Sequence, residues 1–163
     1  MKHTLEEIQH LYPFKQPLSL YEMGVSGKPE ERAQKSFVQC LMAEFPEQIG
    51  EKEYIDKHGN HAVFYPGLIV ATADFYAGGK SGMKQMQKYK KMGYQGGTLD
   101  IFIAYPCGEF HGFFCEMKAG RNGPTIEQRI TIEQHSASGF YACIGEEFAG
   151  ALWHWLQYLE GKP

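Results

Sequence analysis

Asp100 stands at the start of the apolar run GGTLDIFIAY, and Glu116 and Lys118 lie one residue apart in the next, HGFFCEMKA. A strand turns successive side chains to opposite faces, so Glu116 and Lys118 project together while Met117 points the other way. If the two runs are neighbouring strands, Asp100 joins them. Two carboxylates and an ammonium can hold a divalent cation beside a phosphate, which is the chemistry of metal-dependent phosphodiester cleavage. Each part also has a plainer reading. Asp100 could cap a turn, and Glu116 with Lys118 could form a salt bridge at a sheet edge. Convergence of all three among apolar residues says more than any one of them.

Positioning them requires two paired strands, Leu99 to Tyr105 and Gly112 to Met117. The link PCGEFH between them has the proline and glycine of a tight reversal, which predicts antiparallel pairing. Leu68 to Thr72 reads as another strand, and Ser81 to Met92 as a lysine-rich helix between glycine breaks. From Pro29 the sequence PEERAQKSFVQCLMAEFP predicts a helix with a stripe of Gln34, Phe37, Val38, Leu41, Met42 and Phe45, ended by Pro46. Gln48 to Pro66 suits a hairpin. Thr125 is an N-cap for a helix to about Ser138, stopped by Gly139; a strand over Phe140 to Ile144 and an amphipathic helix over Glu146 to Leu159 follow. Residues 1–28, broken by Pro13, Pro17, Gly24 and Gly27, read as an arm, and 29–163 as one domain. The fold expected is α/β, a mixed central sheet flanked by helices.

At 163 residues, with 43% hydrophobic and 14% aromatic content, the chain has ample material for one core. Its apolar runs fall well short of a membrane span, and charges occupy the place of a signal peptide's apolar region, so a soluble, intracellular protein is expected. The four cysteines form no C-x-x-C pair and read as reduced thiols. A net charge of −3 argues against indiscriminate nucleic-acid binding. Even so, no acid falls between Phe75 and Leu99, where Lys80, Lys84, Lys88, Lys90 and Lys91 sit. That patch could meet phosphates or be a solvated helix face, and its place just before Asp100 favours phosphates. No phosphate-binding G-x-x-x-x-G-K-[ST] occurs, so ATP is not expected. Neither a G-x-S-x-G nor a Cys/His arrangement supports acyl transfer, and HGNH at His58 to His61 lacks the further ligands of a zinc site. Trp153 and Trp155 read as packing residues of the last helix.

The stretch KYKKMGYQGGTLDIFIAYPCGEFHGFFCEMKAGRNGPTIEQ, residues 88–128, resembles the VRR-NUC type of the PD-(D/E)XK nuclease superfamily, found as small stand-alone proteins in phages and bacteria. It has, in order, the family's helix end, Gly-rich turn, Asp strand, Glu-x-Lys strand and Thr-x-Glu-Gln helix start. The resemblance implies a restriction-endonuclease-like fold and cleavage of DNA with Mg²⁺ or Mn²⁺. Asp100, Glu116 and the Met117 carbonyl would bind the metal, Lys118 would act on the attacking water or the transition-state charge, and Gln128 would support the metal site or the lysine. It also implies a first-helix acid. Glu31, three residues before Gln34 as in the family's Glu-x-x-Gln opening, is expected in that role and among the metal ligands, rather than Glu30. Lys84, Lys88, Lys90, Lys91 and Arg121 are the expected contacts to DNA. Leu99 replaces the family's usual proline, a turn residue and not a ligand, and residues 51–65 match nothing recognised. The expected function is therefore a metal-dependent DNA endonuclease, selective for junction, flap or nick, acting as a homodimer in the cytoplasm of a bacterium or phage-infected host. The rival is a catalytically inactive nucleic-acid-binding or protein-interaction module on the same fold.

Overall fold

The computed structural model describes residues 2–71, 87–88, 91–92 and 97–161. In chain order these form α1 (Leu5–Gln9), a 3-10 turn (Leu18–Glu22), α2 (Pro29–Glu44), β1 (Lys52–Ile55), β2 (His61–Phe64), β3 (Leu68–Val70), β4 (Ile101–Ile103), β5 (Phe113–Lys118), α3 (Ile126–Ala137), β6 (Tyr141–Glu146) and α4 (Glu147–Leu159). The lysine-rich helix expected over 81–92 falls mostly outside the described residues. Of it, Gln87, Lys88 and Lys91 have helical backbone, and the Met92 N–H donates to the Lys88 carbonyl at 3.1 Å.

The central sheet has the order β3-β4-β5-β6. β4 is antiparallel to both β3 and β5, while β5 and β6 run parallel, so the sheet is mixed and the fold is the α/β class expected. Phe113, Cys115 and Met117 of β5 face a core shared with Ile101, Ile103 and the inward sides of α2 and α4, where Phe37, Leu41, Trp155 and Tyr158 are fully buried. Gly145 permits that closeness: a Cβ there would lie 2.7 Å from the Ala151 Cβ and 2.9 Å from the Cys115 Sγ. On the opposite face Phe114 stacks on Phe102 at 4.4 Å and on His135 of α3 at 4.0 Å, so one helix covers that side. Ahead of Pro29, Ile8, Leu18 and Tyr21 are buried in the same core as the rest. β1 and β2 form the hairpin read from Gln48 to Pro66, antiparallel and largely exposed. All four cysteines are free thiols, three of them buried. No helix among the described residues is long and apolar enough to cross a membrane.

The stripe expected on α2 is displaced by about one residue. The buried positions are Ala33, Ser36, Phe37, Cys40, Leu41 and Glu44, while Gln34, Val38 and Met42 are only partly covered. Two polar side chains belong to the inward face, and the apolar pattern alone does not locate it. Glu44 is buried because residues before Pro29 satisfy it: the Tyr21 hydroxyl donates at 2.5 Å and the Lys15 N–H at 2.9 Å.

Candidate active site

Asp100 sits one residue before β4, next to the pair Ile101 and Cys115, and so opposite Glu116 on the face away from the core. The Met117 backbone N–H donates to Asp100 Oδ2 at 2.7 Å, which uses one oxygen and leaves Oδ1 for another partner. Glu116 is 1% exposed. Its Oε1 accepts from Lys118 Nζ at 2.5 Å and from Gln128 Nε2, while its Oε2 is buried and has no hydrogen-bond partner among the described residues. Lys118 Nζ also donates to Glu30 Oε1 at 2.9 Å, across 88 residues of sequence. Gln128 comes to the cluster from the first turn of α3, where Thr125 forms a capping box with it. Gly97 meets the same helix end: at φ +86°, it is so close that a Cβ would lie 2.9 Å from the Glu127 carbonyl carbon and oxygen.

The electrostatics follow from burial of several charges in one place. Desolvation pushes the Glu116 carboxyl up to about 7; the hydrogen bond from Lys118 opposes this, and the neighbouring Asp100 and Glu30 charges add to it. Asp100 is also raised by burial, against the opposing effects of the Met117 N–H and Lys118. Desolvation pulls Lys118 down, yet its hydrogen bonds to Glu116 and Glu30 outweigh that and leave its pKa raised. Lys118 is therefore a firmly protonated donor at neutral pH, unsuited to act as a base.

Asp100, Glu116, Lys118 and Gln128 are brought together. Glu31 is not with them: it is half-exposed and bound to Lys35 at 2.6 Å, and its neighbour Glu30 takes the place at Lys118 expected of it. Helical neighbours point about 100° apart, and the face carrying Ala33 and Phe37 includes Glu30 one turn earlier. A sequence signal for this was present, since Lys35 four residues after Glu31 offers it an i,i+4 partner on the outer face. Lys88, Lys91 and Arg121 are exposed, and Lys84 and Lys90 lie outside the described residues. Met117 presents its backbone N–H to Asp100 and buries its side chain in the core.

The donor set the two carboxylates offer is oxygen only. Among the described residues no three His, Cys, Asp or Glu side chains are grouped so that they could hold a metal ion. A hard cation that keeps several waters needs just one or two carboxylates, and the buried Glu116 Oε2 beside Asp100, without a partner among the described residues, is chemically suited to one. The residues present thus fit Mg²⁺ or Mn²⁺ and do not fit a structural zinc site.

No protein-family model matches the chain, and no curated protein does. A solved structure named "VRR_NUC domain protein" aligns with a TM-score of 0.55 at 20% sequence identity, over 84% of this chain and 97% of its own. At that identity the likeness is one of fold: the mixed sheet with its flanking helices is an arrangement that a VRR_NUC domain protein also has.

Proposed function

We propose that the chain is a metal-dependent nuclease that hydrolyses phosphodiester bonds in DNA. The observation that carries the reading is the buried Glu116 Oε2 beside Asp100, without a partner among the described residues, with a protonated lysine fixed on the same carboxylate. The fold likeness to a VRR_NUC domain protein supports it. Asp100 and Glu116, with the Met117 carbonyl, would hold Mg²⁺ or Mn²⁺, which when bound neutralises phosphate charge and lowers the pKa of a bound water. An ammonium has three N–H donors. Lys118 directs two at Glu116 and Glu30, and the third is left for a phosphate oxygen or the attacking water. Glu30, rather than Glu31, is the first-helix acid in this reading, and it holds Lys118 by a hydrogen bond to its Nζ. Cleavage would leave 5′-phosphate and 3′-hydroxyl ends. Lys84, Lys88, Lys90, Lys91 and Arg121 would contact the DNA backbone, and a homodimer would cover a junction or flap.

One observation favours a second reading, a binding module on the same fold. Lys118 already pairs with Glu116 and Glu30 internally, so part of the cluster's negative charge is compensated without a cation. Cleavage of supercoiled plasmid, single strand, flap and four-way junction with Mn²⁺, Mg²⁺ or EDTA separates the two. Metal-dependent cuts, lost in Asp100→Ala with the fold retained, are expected. No cutting of any substrate and no Mn²⁺ binding would leave the binding module.

A further inference from the structure

The helix that follows the site begins with a capping box, and that box has a second consequence. Thr125 Oγ1 accepts from the Gln128 N–H at 3.3 Å, and the Thr125 N–H donates to Gln128 Oε1 at 2.8 Å. A backbone N–H can only donate, so the amide oxygen must face Thr125 and the amide nitrogen must face the other way. There it meets Glu116 Oε1, which can only accept when ionised. The orientation of the Gln128 amide is thus dictated at both ends. Helix capping by itself does not ask for glutamine, because Glu serves equally well at this position of a capping box. Against Glu116, a second carboxylate would be repelled. The choice of Gln128 is explained by the site and not by the helix.

Glu116 receives the result. Lys118 and Gln128 both donate to Oε1, and Oε2 is left buried with no partner among the described residues. We propose that Thr125 is a positioning residue for the candidate active site: its backbone N–H fixes the Gln128 amide so that one oxygen of Glu116 is spent on the protein and the other is reserved for a cation. The proposal rests on the reading of Glu116 as a metal-binding carboxylate. With the N–H absent, the partly exposed amide is free to rotate, Oε1 loses a donor, and the carboxylate is no longer held in one setting.

Two substitutions isolate the N–H. Thr125→Val keeps it and removes the hydroxyl; Thr125→Pro removes both, at a position whose φ of −67° suits proline. The first readout is the side-chain amide of Gln128 in the ¹H–¹⁵N spectrum of the metal-free protein, the second Mn²⁺ affinity by calorimetry. Wild type and Thr125→Val should show a Gln128 side-chain amide with an exchange-protected proton shifted away from the values of exposed glutamines. Thr125→Pro should lose that protection and shift, and bind Mn²⁺ about tenfold more weakly than Thr125→Val, the scale of effect expected for a group behind a ligand. Identical behaviour of the two variants would overturn the proposal. So would a fast-exchanging Gln128 amide with the shifts of an exposed glutamine in wild type, a result that needs no variant to fold. If the amide pattern holds as stated while wild type binds no Mn²⁺, positioning by Thr125 stands and the metal reading of Glu116 falls.

Discussion

The two faces of β5 differ sharply although their residues alternate along six positions of one strand. Phe113, Cys115 and Met117 look into a core closed by two helices and are fully buried, with Phe113 edge-on to Trp155 at 5.3 Å. Phe114, Glu116 and Lys118 look the other way, under α3, a helix with no buried residue. Stability is concentrated on the first face by burial of large apolar side chains. The second face has a thinner cover, and it alone carries charge. A single strand can thus be rigidly anchored from behind while presenting ionisable groups in front, and such an anchored strand is suited to holding a site in fixed geometry.

The comparison is broken most forcefully from behind. Trp155→Ala should cost about 3–5 kcal/mol, as for a large aromatic removed from a closed core, and chemical denaturation should show a large share of the total stability lost. Phe114→Ala removes a ring that is only partly covered and should cost about 1–2 kcal/mol, a fraction of the same burial term. Equal losses for the two would mean that α3 seals its face as tightly as α2 and α4 seal theirs.

Charge on the front face leaves a pH signature next in size. A carboxyl raised from 4.5 to about 7 on folding binds protons more tightly in the native state, so its contribution is fully present below the unfolded value and is lost as pH rises toward 7. Two and a half pKa units correspond to on the order of 3 kcal/mol for Glu116. Asp100, raised in the same direction, adds to the trend at lower pH. His154, lowered by burial from 6.5 to about 4, and His135, lowered as well, have the opposite sign: their contributions grow as pH rises toward 6.5. The difference between wild type and Glu116→Gln removes the histidines from the comparison. Wild type should lose stability relative to the variant between pH 4.5 and 7, measured by denaturant titration at several pH values. A parallel pair of curves would show that Glu116 is not held at a raised pKa.

What the sequence made legible follows the same division. Period-two alternation placed Glu116 and Lys118 on one side and Met117 on the other, and Thr125 marked the start of α3 by its cap; both signals are local. The rotation of α2 was not local. Its inward face includes Ser36 and Glu44, and the reason Glu44 can be buried is a hydroxyl and an N–H supplied from Tyr21 and Lys15. Read for apolar residues alone, the helix turned by one position, and the Glu-x-x-Gln spacing counted back from Gln34 selected Glu31, whereas Glu30 is the acid that reaches Lys118. The chain's own charge pattern held the correction, because Lys35 was already placed to take Glu31.

The smallest expected effect is therefore also the sharpest test of that rotation. Glu31 is exposed and its partner Lys35 is about half-exposed, so Glu31→Gln should leave the melting temperature and any nuclease activity unchanged within error. Glu30→Gln keeps the size of the side chain but takes the second carboxylate away from Lys118. It should likewise barely move the melting temperature, because Glu30 is more than a third exposed, while cleavage falls as Lys118 loses the group that directs it. Sensitivity to Glu31 and indifference to Glu30 would mean that α2 turns, in solution, by the one residue that separates the apolar stripe from the buried face. Sensitivity to Glu30 alone would tie the lysine's position to an acid 88 residues earlier in the chain.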